Sequence, residues 1–191
     1  MLLYVIRHGE TKANIEKRYL GQTDSPLTLL GQRQAEDLAK MLLPHNPEII
    51  ILSDLPRAKA SAMPLIECSG ASVYTDSRLR ELNFGRIEGL TYTQAMESYV
   101  EDMKKWYDNF VNEAPPGGET LAAMRIRVNE FLSELVELPY KSAAIFTHGG
   151  VCNLLIAHAT KQSFGSVWTN PGEMTKMRLI GTKHKWALEK L

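Results

Sequence analysis

Short apolar runs that alternate with stretches of helical periodicity constrain this chain more than any other feature. The runs Leu2–Ile6, Glu48–Leu52, Ala71–Thr75 and Ser142–Thr147 read as strands, and the first, bulky and stopped at Gly9, reads as a buried one. Behind Thr28, the residues Ala35, Leu38, Ala39 and Leu42 mark one helical stripe. Behind Thr120, Leu121, Met124, Val128, Phe131, Leu132 and Leu135 mark another. Shorter helices are predicted from Pro56 to Cys68 and from Gly150 to Ala159. Strands alternating with helices predict an α/β three-layer sandwich: a mostly parallel central sheet with helices on both faces. Two later runs, Thr175–Ile180 and Lys185–Leu188, are joined around "IGTKHK" and predict an antiparallel addition.

One stretch breaks the alternation. "TYTQAMESYVEDMKKWYDNFVNEAPPGGET" is helix-prone until Pro115, Pro116, Gly117 and Gly118 end it, and it reads as an insert at about 91–118 lying over one end of the sheet. Tyr99, Met103, Trp106 and Phe110 recur in it at helical spacing, which is first a packing signal and second a ligand surface. No linker or repeat divides the 191 residues, so a single domain is expected. Formal net charge is zero, which removes any global electrostatic case for nucleic acid or an anionic membrane and leaves room for a local basic pocket. The apolar runs are too short to span a bilayer, and no charged leader precedes the first strand, so a cytoplasmic location is expected. Cys68 and Cys152 form no C-x-x-C pair and read as two small buried apolar residues in a reducing compartment, and neither has an Arg six residues on, so thiol phosphatase chemistry is set aside.

Charged and polar groups gather where the strands end. Arg7 and His8 follow the first run, Ser53 and Arg57 the second, Glu81 lies beyond the third, and Thr147, His148, Gly149 and Gly150 close the fourth. In a parallel sheet these carboxyl ends share one edge, where ligands bind. Two arginines, two histidines and one acid suit a phosphoryl group. Arg offers phosphate a planar fork with a permanent charge. Neutral His can attack phosphorus, and nearby Arg charges keep it unprotonated. A carboxylic acid can protonate the departing alkoxide. The glycines after each His let backbone approach an anion at a helix start. A metal site on His8, His148 and Glu81 is the competing reading, and Arg7 and Arg57 would repel its cation. Taken singly, each residue also has an ordinary structural role.

"RHGETKAN" resembles the signature of the histidine phosphatase superfamily, the phosphoglycerate mutase-like group. The likeness continues through "YLGQTDSPLTLLGQRQA", "SDLPRAKASA", "LRELNFGRIEG", "PPGGET" and "IFTHGGV", in the family's order and over most of the chain. It implies a histidine acid phosphatase-type phosphoric monoester hydrolase needing no cofactor or metal. His8 would be the phosphorylated nucleophile and Glu81 the proton donor. Arg7, Arg57 and His148 would clamp the phosphoryl oxygens. Asn14 and Gln22 would sit at the pocket edge, with Gly149 also on the substrate. One departure is Ser61, where the family often has Thr.

Within the family, "EGLTYTQAME" carries no Lys after the catalytic acid to hold a substrate carboxylate, unlike the Gly-Leu-Asn-Lys of the glycolytic mutases. The chain is more similar to the small phosphatases, including the α-ribazole phosphatases of cobalamin synthesis. The expected partner is a small-molecule phosphate ester. The alternatives are a mutase-like phosphoryl transferase and a non-catalytic phosphate-binding module. Retention of both nucleophile and acid argues against the last.

Overall fold

In the computed structural model, which describes residues 1–191, the elements run β1 (Leu2–Arg7), α1 (Lys12–Ile15), α2 (Leu29–Leu42), β2 (Ile49–Leu52), α3 (Pro56–Cys68), β3 (Ser72–Thr75), α4 (Tyr92–Ser98), α5 (Val100–Asp108), α6 (Leu121–Leu135), β4 (Ser142–Thr147), α7 (Gly149–Thr160), β5 (Met174–Thr182) and β6 (Lys185–Lys190). They form one six-stranded sheet in the order β3-β2-β4-β1-β5-β6. The first four strands are mutually parallel where they pair, and the C-terminal hairpin adds two antiparallel strands beside β1. The α/β sandwich read from the sequence is therefore the observed architecture.

The central strands are apolar at successive positions because both faces are covered. Leu3, Val5, Ile49, Ile51, Ala143 and Ile145 join one core with residues of α6 and α7. Their neighbours Tyr4, Ile6, Ile50, Leu52, Ala144 and Phe146 join a second core with Leu38, Ala39 and Leu42 of α2 and Ala62 and Leu65 of α3. Adjacent residues of a strand point to opposite faces, so one run of sequence serves both cores. β3 differs: it is an edge strand, and all four of its residues are exposed.

Threonines start the long helices. Thr28 and Thr120 accept hydrogen bonds from the backbone N–H groups of Gly31 and Ala123, both at 3.0 Å. The insert is two helices rather than one, broken at Tyr99 (φ −140°, ψ 40°), and Thr91 starts the first with a reciprocal cap from Gln94. Ala95, Met103 and Trp106 carry the insert into the larger core. No helix is long and apolar enough to cross a membrane.

Candidate active site

The ladder of the sheet runs one residue past its strands and delivers two side chains to one place. His8 donates its backbone N–H to Thr147 O at 3.0 Å or less (2.9 Å), and Ser53 donates to Phe146 O at 3.0 Å. Since β4 lies between β2 and β1, these bonds set His8 and Ser53 on either side of His148. The imidazoles of His8 and His148 meet edge to face with centroids 5.2 Å apart. His148 Nε2 lies 2.8 Å from Ser53 Oγ. Both rings are buried.

The tautomer of His8 follows from its neighbours. Nδ1 is 2.8 Å from Gly9 O, which can only accept, so Nδ1 carries the proton. Nε2 is 3.2 Å from Arg57 Nε, which can only donate, so Nε2 presents its lone pair. Burial and then the Arg57 charge push the His8 pKa down to about 3, with Arg7 adding in the same direction. Burial, Arg57 and His8 likewise hold His148 well below the usual histidine range. Both rings are neutral at ordinary pH. His148 Nδ1 and Arg7 Nε are buried with no hydrogen-bond partner in the protein, although Arg7 Nη1 donates to Thr169 O at 2.5 Å. Unpartnered buried polar atoms are costly, and an oxyanion would satisfy the Arg7 Nε–H, and His148 Nδ1 in the tautomer that carries its proton there.

Arg57, nearly fully buried, is fixed by carbonyls: Nη2 donates to Gly21 O at 2.5 Å and Nη1 to Thr23 O at 3.0 Å. The Glu81 carboxylate accepts from the backbone N–H of Gly150 at 3.0 Å and of Leu82 at 2.9 Å. Side chains at 149 and 150 would collide here: a Cβ on Gly149 would press on the Arg7 guanidinium, and one on Gly150 would overlap Glu81 Oε1.

A cavity of about 560 Å³ opens over Arg7, Glu81, Gly149 and Gly150. Its outer wall is aromatic, formed by Tyr19, Phe84, Trp106, Tyr107, Phe110, Phe164 and Trp168. Arg18 lies on this wall with its guanidinium engaged by Glu16 (2.5 Å) and Gly89 O (2.7 Å). Of the residues read from the sequence, Arg7, Glu81, Gly149 and Asn14 line the cavity, while His8, Arg57 and His148 are buried and not part of its lining. Asn14 also closes the cap of α1 by accepting from Thr11 N at 3.0 Å. Gln22 is not on the wall; its Oε1 accepts from Arg80 Nη1 at 3.3 Å instead. Tyr99 packs against the core beside α5 and stays off the wall, whereas Trp106 belongs to core and wall at once.

Several supporting residues were given no role from the sequence. Ser61 Oγ accepts from Gly9 N at 2.9 Å and so fixes the turn after His8. Glu88 accepts from the backbone of Gln22 (2.9 Å), Thr23 (2.6 Å) and Phe84 (3.1 Å), tying the loop that holds Arg57 to the cavity wall. Phe164 and Trp168 come from the irregular stretch after α7, where no periodicity marks them. No three His, Cys, Asp or Glu side chains gather so as to hold a metal ion.

Two His and two Arg side chains thus gather at the carboxyl ends of a mostly parallel sheet of order β3-β2-β4-β1-β5-β6, the arrangement of a phosphoryl-binding α/β protein. The chain belongs to the histidine phosphatase superfamily, branch 1, whose family model matches residues 3–191. It is 35% identical over 153 residues to a Salmonella paratyphi C protein named "Probable phosphoglycerate mutase GpmB", covering 78% of this chain and 69% of that one. Among solved structures it is similar to an α-ribazole phosphatase from Shigella flexneri, with 30% identity, TM-score 0.89, and 100% of this chain and 96% of that chain covered. A mycobacterial glucosyl-3-phosphoglycerate phosphatase in complex with VO3 is also similar, with 28% identity, TM-score 0.85, and coverage of 99% and 96%.

Proposed function

We propose that this chain is a phosphomonoesterase that works through a phosphohistidine at His8, without a metal or cofactor. The observation that carries the reading is the state of His8. Its ring is neutral, its proton is committed to Gly9 O, and its Nε2 lone pair faces Arg57 in a site that also holds the unpartnered Arg7 Nε–H and His148 Nδ1. As the ester arrives, the Arg57 Nε–H passes from the ring to a phosphoryl oxygen and frees the lone pair. The Nε2–P bond forms while the bond from phosphorus to the alcohol oxygen breaks, and Glu81 gives that oxygen its proton. Water then attacks phosphorus, the N–P bond breaks, Glu81 recovers a proton from the water, and phosphate leaves. Arg7, Arg57 and His148 donate to the phosphoryl oxygens throughout.

The aromatic wall supports a leaving alcohol that carries a flat apolar group, and α-ribazole 5′-phosphate has that chemistry. The relatives named as mutases support a second reading, phosphoryl transfer between carboxylated acceptors. Against it, the only cation on the outer wall, Arg18, is already paired with Glu16, and no Lys follows Glu81 in "GLTYTQ".

The test is a rapid quench with labelled substrate followed by a screen of phosphorylated metabolites. A base-stable, acid-labile label on the protein and release of inorganic phosphate are expected. Rapid conversion of 3-phosphoglycerate to its 2-isomer, primed by bisphosphoglycerate and matching phosphate release, would overturn the choice of water as acceptor.

A further inference from the structure

His8 and His148 are set in place by the sheet ladder; Glu81 is not. It lies between a 3₁₀ turn at Ser77–Leu79 and another at Gly85–Ile87, outside every strand and helix. Something else must hold its backbone.

The holder is on α6. Arg127 Nη1 donates to the carbonyls of Arg78 (2.6 Å) and Arg80 (2.7 Å), and Nη2 donates to the carbonyl of Glu81 itself (3.2 Å). The remaining N–H groups pair with Glu119, Nε to Oε1 at 2.8 Å and Nη2 to Oε2 at 2.9 Å. All five guanidinium donors are thus used, four of the bonds at 2.9 Å or less. Glu119 grips the other side of the same loop: its N–H donates to Asn83 O at 2.8 Å, and its carboxylate accepts from Asn83 N at 3.4 Å. Both side chains are mostly buried, 18% and 16% exposed. Residues 78 to 83 are therefore clamped from two sides by one ion pair, and the carboxylate of Glu81 emerges from the middle of the clamp onto Gly150 N.

We infer that Arg127, oriented by Glu119, is a positioning residue for the proton donor, acting through Glu81 without touching substrate. The inference rests on the phosphatase reading above, in which Glu81 protonates the leaving group. A Lys at 127 keeps the charge but has three donors on one nitrogen, so it cannot reproduce the planar five-bond fork.

The experiment compares kcat/KM for an alkyl phosphate and for p-nitrophenyl phosphate, since only the former needs a proton delivered to its leaving oxygen. Arg127→Lys should lower kcat/KM on the alkyl ester about 10- to 100-fold, part of the roughly 10² to 10⁴ that general acid help supplies, and change the nitrophenyl ester only about twofold. Glu119→Gln, which keeps the shape of the clamp and weakens its charge, should act in the same direction and covers the case in which Arg127→Lys does not fold. In a Glu81→Gln background either change should cost nothing further on the alkyl ester, because the residue it acts through is gone. Equal losses on both esters, or an undiminished loss in the Glu81→Gln background, would overturn the positioning role. Wild-type protein that yields phosphohistidine but shows no preference altered by Glu81→Gln would overturn the acid role beneath it. Wild-type protein that yields no phosphohistidine would overturn the phosphatase reading itself.

Discussion

The two ends of the cavity are built by opposite means. At the phosphoryl end, His8, Arg57 and His148 are buried and polar, each held by backbone carbonyls or by neighbours on the sheet ladder. At the leaving-group end, Trp106, Tyr107, Phe110, Phe164 and Trp168 come from the insert and from the stretch after α7, and they hold one another chiefly by ring contacts. Examples are Trp106–Phe110 at 5.1 Å and Phe110–Phe164 at 5.7 Å between centroids. Backbone hydrogen bonds tie geometry to the fold, whereas ring stacking tolerates changes of size and identity. In the phosphatase reading proposed above, one end is thereby committed to a single chemistry, and the other is the part that would set ester preference.

That contrast breaks most completely at His8. His8→Ala should lower turnover by on the order of 10⁶, the scale of losing a covalent nucleophile, and abolish phosphate labelling on every ester. Residual label elsewhere on the chain would refute the assignment. Next in size is Glu81→Gln, which should lower kcat/KM about 10² to 10⁴-fold on alkyl esters and only mildly on nitrophenyl phosphate. An equal loss on both would make Glu81 a phosphate-positioning group and move the search for the donor to His148.

The aromatic end divides internally. Trp106 is 2% exposed and part of the core, so Trp106→Ala should destabilise the fold by about 3 to 5 kcal/mol as well as alter ester preference. Trp168 is 65% exposed at the cavity rim, so Trp168→Ala should leave the melting temperature unchanged and weaken only esters with apolar alcohols, by about tenfold in kcat/KM. Uniform loss across esters in the Trp168 variant would remove this end from specificity.

The phosphoryl end also has a pH signature. The His8 pKa is about 3 when folded, against an ordinary value of 6.5 when unfolded. Between those values the unfolded chain binds the extra proton, so this residue's contribution is fully present above pH 6.5 and is lost as pH falls toward 3. Melting temperature should therefore drop with acidification from pH 6.5, and His8→Gln should flatten the drop. An unchanged slope in that variant would mean the ring is not held neutral.

Most of the fold was legible because β1, β2 and β4 are covered on both faces, which forces continuous apolar runs, and because Thr28 and Thr120 mark helix starts chemically. The break at Tyr99 was not legible, since helical spacing continues across it and only tertiary packing shows the kink. At the site, Arg7, His8, Arg57 and His148 could be placed together from their positions after strands. The side-chain direction of Gln22 was not legible, because a loop residue's direction depends on its partner, here Arg80. Arg127 and Trp168 left no trace, because a carbonyl-binding guanidinium and a rim indole look in sequence like any surface residue, and Glu88 stood in a quoted motif with nothing to show that its carboxylate ties the loop.

The bonds from His8 N to Thr147 O and from Ser53 N to Phe146 O have a consequence for how the molecule fails. These amides sit beside the most deeply buried strands, so their exchange with deuterium requires the same opening that melts the whole sheet. The rim of the aromatic end, where Trp168 is 65% exposed, is tied to α7 through Asn153 rather than to the sheet ladder, so it can open before the strands separate. Under mild denaturant the chain should therefore lose discrimination among esters while the amide of His8 stays protected, and it should lose the capacity for chemistry only when the slowest-exchanging amides of β1 and β4 are released with it.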